Sequence, residues 1–267
     1  MTVVAAGTRI AVRVVLAVLL AAPAAHAQAV RVMTSGGFAQ AFLDLVPEFE
    51  RATGTQVLVA FGASMGGAPD SIPSRLERGE PVDVVILAAE ALDALVVQGK
   101  VRAGSRVDLV RSRIGMAVRA GASKPDIGSV EALRQTLLGA SSIAYSASAS
   151  GVYLSTELFQ RLGIAEQIKA KSKRIESERV GNVVARGDAE IGFQQVSELL
   201  PIPGIDYVGP LPAQVQRVTT FSAGVSVNAR ASDAAKALIE FLSSPAAIPT
   251  ITSAGLEPAT ASVPRGR

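Results

Sequence analysis

Short apolar runs alternate with stretches in which apolar residues return every three or four positions, and this alternation predicts most of the fold. Residues 29–33 read as a strand, followed by a helix that carries Phe38, Phe42, Leu45 and Phe49 on one face. A strand at 57–61 and a helix at 72–78 closed by Gly79 come next. The almost wholly apolar 82–87 is what a strand covered on both faces requires, and a helix at 89–98 stops at Gly99. The order is then βαβαβα. It predicts a parallel sheet with right-handed crossovers and a ligand crevice at the carboxyl ends of its strands.

Further along, 114–118 reads as a strand, 130–138 as a helix and 143–145 as a short buried strand. Leu154, Leu158 and Leu162 form one helical face ended by Gly163. The lysines at 169, 171 and 173, with Arg174, read as a solvated face. A helix end at 180–186 and a strand at 190–194 follow. Prolines 201, 203, 210 and 212 mark a loop-rich passage around a short strand near Tyr207. A strand at 221–228, an amphipathic helix at 233–242 and a last helix opened by Ser244-Pro245 complete the chain.

Three of the strands run into loops of small hydroxylic residues. These are Thr34-Ser35-Gly36-Gly37, Gly62-Ala63-Ser64-Met65-Gly66 and Ser146-Ala147-Ser148-Ala149-Ser150-Gly151. Each such loop leads a helix whose first N–H groups lack partners, and a small anion can supply the missing acceptors. A single loop of this kind is ordinarily a serine cap and nothing more. Three of them point to one site assembled from several loops.

The first 27 residues stand apart from this pattern. Arg9 and Arg13 precede an apolar run at 14–22, and Ala25-His26-Ala27 supplies a small-residue cleavage signal, so an exported, periplasmic chain cut after Ala27 is expected. Losing Arg9 and Arg13 takes Lys+Arg from 26 to 24 against 23 Asp+Glu, which removes any charge argument for a nucleic-acid partner. The only histidine, His26, leaves with that segment, and cysteine is absent. Disulfides, thiolate chemistry and cysteine-based zinc sites are therefore excluded.

Gly62-Ala63-Ser64-Met65-Gly66 matches the G-x-S-x-G nucleophile elbow after a strand, so a serine hydrolase is the enzymatic alternative. Without histidine no Ser-His-Asp triad exists, and no serine stands three residues before a lysine. Asp83, Glu90 and Asp93 read as cap or surface groups rather than metal ligands, and no phosphate-binding G-x-x-x-x-G-K-[ST] loop occurs. The expectation is a binding protein, not an enzyme, with no cofactor and no metal.

Several segments carry a family resemblance. They are Val32-Met-Thr-Ser-Gly-Gly-Phe, Phe49-Glu-Arg-Ala-Thr-Gly-Thr, Phe61-Gly-Ala-Ser, Gly79-Glu-Pro-Val-Asp-Val-Val-Ile, Val184-Ala-Arg-Gly-Asp-Ala-Glu-Ile-Gly and Ala237-Leu-Ile-Glu-Phe-Leu-Ser-Ser-Pro-Ala. In this order the chain resembles the periplasmic molybdate-binding proteins of ABC importers. The resemblance implies an α/β fold, the two-lobed type II periplasmic binding protein, each lobe a mixed, mostly parallel sheet flanked by helices. Lobe 1 would take 28–110 plus 222–267 and lobe 2 would take 111–221, joined by two crossover strands. It implies a monomer that closes on a small anion and presents it to a permease in the inner membrane.

Carried over by motif, the anion-binding positions fall on Ser35 with Gly36, Ser64, Ser148, Ser150 and Gly151, with a further contact around Arg179. Where such proteins place a ligand tyrosine, this chain has Gln195. A guanidinium fork matches a carboxylate, whereas neutral donors suffice for a tetrahedral dianion, and an amide both donates and accepts. The departures tilt the expected ligand toward a small organic polycarboxylate, aconitate- or citrate-like, over molybdate or tungstate. Arg179 has an equal claim as an ion-pair partner of Glu176 or Glu178.

Overall fold

The computed structural model describes residues 29–259; the expected leader and its cleavage point after Ala27 lie outside them. Three strands, β1 (Val30–Thr34), β2 (Val57–Phe61) and β3 (Val84–Ala88), run parallel with β1 in the middle. Between and after them lie α1 (Gly36–Thr53), α2 (Ile72–Glu77) and α3 (Ala89–Val97). Every residue of β3 is buried, as its unbroken apolar sequence requires. Phe38, Phe42, Leu45 and Phe49 bury the inner face of α1, and Gly54 ends that helix in the left-handed conformation at φ 69°.

The chain leaves this half along β4 (Val107–Arg119), far longer than the strand expected at 114–118. Residues of α4 (Val130–Gly139), β5 (Ile143–Ser146) and α5 (Ala149–Tyr153) follow, and α5 continues through a π-helical turn (Leu154–Leu158) into α6 (Phe159–Arg161). After α7 (Ala165–Ile168) come β6 (Ser172–Ile175), α8 (Val180–Arg186), β7 (Ile191–Gln195), α9 (Val196–Leu199) and β8 (Ile205–Pro210). The return is made by β9 (Val218–Val225), then α10 (Ser232–Leu242), α11 (Ile248–Ser253) and β10 (Glu257–Pro258).

One mixed sheet unites them in the order β2-β1-β3-β9-β4-β7-β5-β6, with β8 and β10 also on β4. The first part of β4 pairs antiparallel with β9, and from Ile114 to Val118 it pairs with β7 instead. Strands β4 and β9 thus carry the chain between two lobes. Each lobe has its own apolar core. One gathers the α1 phenylalanines with Phe221, Leu238, Leu242 and Ile251, and the other gathers Ile114, Met116, Leu133, Leu158, Ile191 and Phe193. Each large apolar side chain buried in these clusters contributes roughly 1.5–3 kcal/mol to holding its own lobe together.

Two charged segments differ from expectation. Asp83 is buried rather than at the surface, and its carboxylate accepts from the N–H groups of Arg31, Arg230 and Ala231 at 2.8, 2.7 and 3.0 Å, tying the start of α10 to the sheet. Lys171, read as solvated, donates through Nζ to the carbonyls of Leu138 and Ala140 at 2.6 and 2.5 Å and closes the end of α4. Within β6 only Ile175 is buried, so no apolar alternation in the sequence marks that strand.

Candidate functional site

The carboxyl ends of β1, β2, β5 and β7 and the starts of α1, α5, α8 and α9 converge on a cavity of about 350 Å³ between the lobes. Its walls include Ser35, Gly36, Ser146, Ser148, Ser150, Arg179, Gln194, Gln195 and Glu198. Leu43, Phe61 and Phe221 give it an apolar side. Hydrogen bonds cross between the lobes around it: the Ser64 N–H donates to Ser148 Oγ at 3.3 Å, and Ser177 Oγ donates to Asp70 Oδ1 at 3.4 Å.

The serines expected to share the ligand do not stand alike. Ser35 precedes α1 in the N-cap position, yet its hydroxyl makes no capping bond, is buried and has no partner. It faces the cavity as an unspent donor. Ser150 Oγ lies 3.0 Å from Ser146 Oγ, forming a hydroxyl pair on the opposite wall. Ser64 is fully buried, accepts the Ala88 N–H at 2.9 Å and lines a different hollow beside Met65 and Pro73, so its hydroxyl is spent on joining loop to strand. Gly151 stands behind the wall, where any side chain would overlap the carbonyl of Ser146.

Arg179 is the N-cap residue of α8 and reaches the cavity. The two glutamates that precede it are engaged elsewhere, Glu176 with Arg174 at 3.1 Å and Glu178 with Arg186 at 2.9 Å. Gln195 donates through Nε2 to Thr219 Oγ1 at 2.9 Å, and its Oε1 is buried without a partner. Because a hydroxyl either donates or accepts, the Gln195 amide can turn over and offer the cavity whichever end a ligand needs.

Glu198 is the residue that sequence reasoning missed. It is the third residue of α9, buried in the cavity wall, and its carboxylate accepts from the Gln195 backbone N–H, the back-bond of a capping box. Gln194 Nε2 donates to Oε1 at 2.9 Å. Gly36 lies against the same oxygen, and a side chain there would occupy its place. Burial pushes the Glu198 carboxyl up to about 7; the Arg179 charge, the Gln195 N–H and the Gln194 amide pull the other way and lose. A buried carboxyl balanced near neutrality and open to a ligand cavity has the properties of a general acid–base group.

The two-lobed frame with a polar interlobe cavity is that of a solute receptor, and the chain belongs to the bacterial extracellular solute-binding protein family, whose model matches residues 30–257. Among its relatives, aconitate isomerase of Pseudomonas sp is 48% identical over 230 residues, covering 86% of this chain and 88% of that protein. The molybdate-binding protein ModA of Azotobacter vinelandii is 27% identical, covering 88% of this chain and 92% of its own length. The solved structure of the periplasmic molybdate-binding protein of the same organism superposes with a TM-score of 0.68 at 22% identity, over 85% of this chain and 98% of that one.

These relatives correct one expectation. A protein nearly half identical along almost the whole chain bears the name of an isomerase, which overturns the inference that the chain is not an enzyme. That inference rested on missing histidine, cysteine and phosphate-loop residues. Such absences exclude hydrolase triads and thiolate chemistry but leave proton transfer by a carboxyl group untouched.

Proposed function

We propose that the protein is an exported isomerase built on a solute-receptor frame, which encloses an aconitate-like tricarboxylate between its lobes and relocates the double bond by carrying one proton. The observation that carries this reading is Glu198, a buried carboxyl in the cavity wall held near neutral pKa. The name of the 48% identical relative supports the substrate class.

Aconitate has a methylene group between a carboxylate and its alkene. Glu198 takes a proton from that methylene, and the C–H electron pair spreads over the three-carbon allylic unit and onto the flanking carboxylates. Glu198 then returns the proton to the other end of the unit, and the double bond forms there with the opposite geometry. Arg179 receives one carboxylate in its fork, while Ser35 and the Ser146–Ser150 pair donate to the others. Molybdate, the competing cargo, has no carbon acid for Glu198 to serve.

The family match over residues 30–257 favours a second role beside turnover. The chain is cut after Ala27, works as a monomer in the periplasm and offers the bound acid to an ABC permease. Incubating the purified exported protein with cis-aconitate and separating the isomers by chromatography tests the main reading. Conversion to the trans isomer is expected, and Glu198→Gln lowers kcat by about 10²–10⁴-fold with calorimetric affinity kept within a few-fold. No conversion by the wild type, or undiminished turnover by the variant, refutes it.

A further inference from the structure

Glu198 must be ionised to accept a proton, yet its surroundings favour the neutral acid, so something has to hold the balance. The neighbouring Gln194 is buried, and its amide makes two bonds at once. Oε1 accepts from the Val180 N–H at 2.8 Å, and Nε2 donates to Glu198 Oε1 at 2.9 Å. Val180 is the first residue of α8, so its N–H has no acceptor within the helix.

A backbone N–H can only donate. It therefore fixes which end of the Gln194 amide faces it, and by elimination the NH₂ end faces the carboxylate. A donor at that place favours the ionised form, whereas a reversed amide would present a carbonyl oxygen and favour the protonated one. Gln195, one residue on, is the contrast, because its partner Thr219 tolerates either orientation.

We propose that Gln194 is a positioning residue: locked by the Val180 N–H, it aims Glu198 into the cavity and keeps that carboxyl able to accept a proton. The proposal rests on the isomerase reading and extends it to the side chain that tunes its base. The groups facing Glu198 are few. From the N-cap of α8 comes the Arg179 charge, from α1 the uncharged Gly36 and from β7 the two glutamines, while Arg111 and Arg113 of β4 line a separate hollow with Val196.

The test reads the carboxyl directly. With glutamate side chains labelled with ¹³C, the Glu198 resonance is assigned by its disappearance in Glu198→Gln, and the empty protein is titrated. Gln194→Met fills similar volume without a donor. Its Glu198 midpoint should rise by about one pH unit, a tenfold gain in proton affinity, and the acid limb of the kcat/KM profile should move with it. An unchanged midpoint overturns the proposal whatever the activity. If the wild type isomerises nothing, the functional reading fails, and the titration still decides what Gln194 does.

Val180→Pro is the second variant and leaves the glutamine in place. Proline suits the first helical position, and Arg179 already has the extended backbone, ψ 133°, preferred before proline. Removing this N–H frees the amide to turn, so the midpoint should again rise. A midpoint that stays in place in Val180→Pro overturns the lock.

Discussion

Replacing Glu198 by glutamine should make the empty protein progressively more stable than wild type as the pH rises above about 5. The carboxyl has an ordinary value of 4.5 and a folded value of about 7, so the folded chain holds this proton more tightly than the unfolded chain does. Below 4.5 both states are protonated and no penalty exists; between 4.5 and 7 the unfolded state ionises first and stability falls; above 7 the penalty is complete. Between pH 5 and pH 8 the loss is on the order of 2–3 kcal/mol, little reduced by solvent screening because Glu198 is only 9% exposed. Glutamine does not titrate. It sacrifices one accepted hydrogen bond, about 1 kcal/mol, but that offset is the same at every pH. At roughly 2–4 °C per kcal/mol for a chain of this size, the melting temperature of the variant should gain ~5–10 °C on the wild type between pH 5 and pH 8. Calorimetric melts of both proteins in matched buffers measure the difference, in which all other titrating groups cancel. Parallel curves would refute the burial argument for Glu198.

Gly36→Ala should separate turnover from stability. The added methyl meets the flexible end of Glu198 rather than backbone, so the fold yields cheaply while the carboxyl is displaced, and kcat should fall at least tenfold with a melting temperature within a few degrees of wild type. Ser35→Ala removes a buried hydroxyl that has no partner in the empty cavity. Calorimetry should show ligand affinity weakened by about 1 kcal/mol, while the empty protein melts no lower than wild type.

The first lobe was legible because its signals are local. Five buried residues in succession write β3, and four aromatic or leucine positions at helical spacing write α1. Strand β4 was foreseen only from Ile114 because its earlier part mixes Asp108, Arg111 and Arg113 among apolar residues, blurring the period. The hydroxylic loops were visible, but nothing local separates Ser35 from Ser64. That distinction is made by the Ala88 N–H, supplied by a strand the loop meets only in three dimensions. Glu198 was hidden for the same reason. In sequence it is an acid in the first turn of a short helix, and the groups that bury and steady it, Gly36, Arg179 and Gln194, come from three separate segments.

The return of β9 between β3 and β4 pairs Ile86 with Ala223 and brings Phe221, Leu238 and Ile251 into the core begun by α1. The second lobe, continuous in sequence between those strands, can finish folding while the first still waits for its last pieces. Until the tail emerges, β3 keeps one open edge and the α1 phenylalanines lack part of their cover. For a chain that emerges from its N-terminus onward, this postpones sealing of the first lobe until β9 and α10 have appeared. Shortening the tail before β9 should therefore leave a sticky half-molecule rather than a smaller stable one.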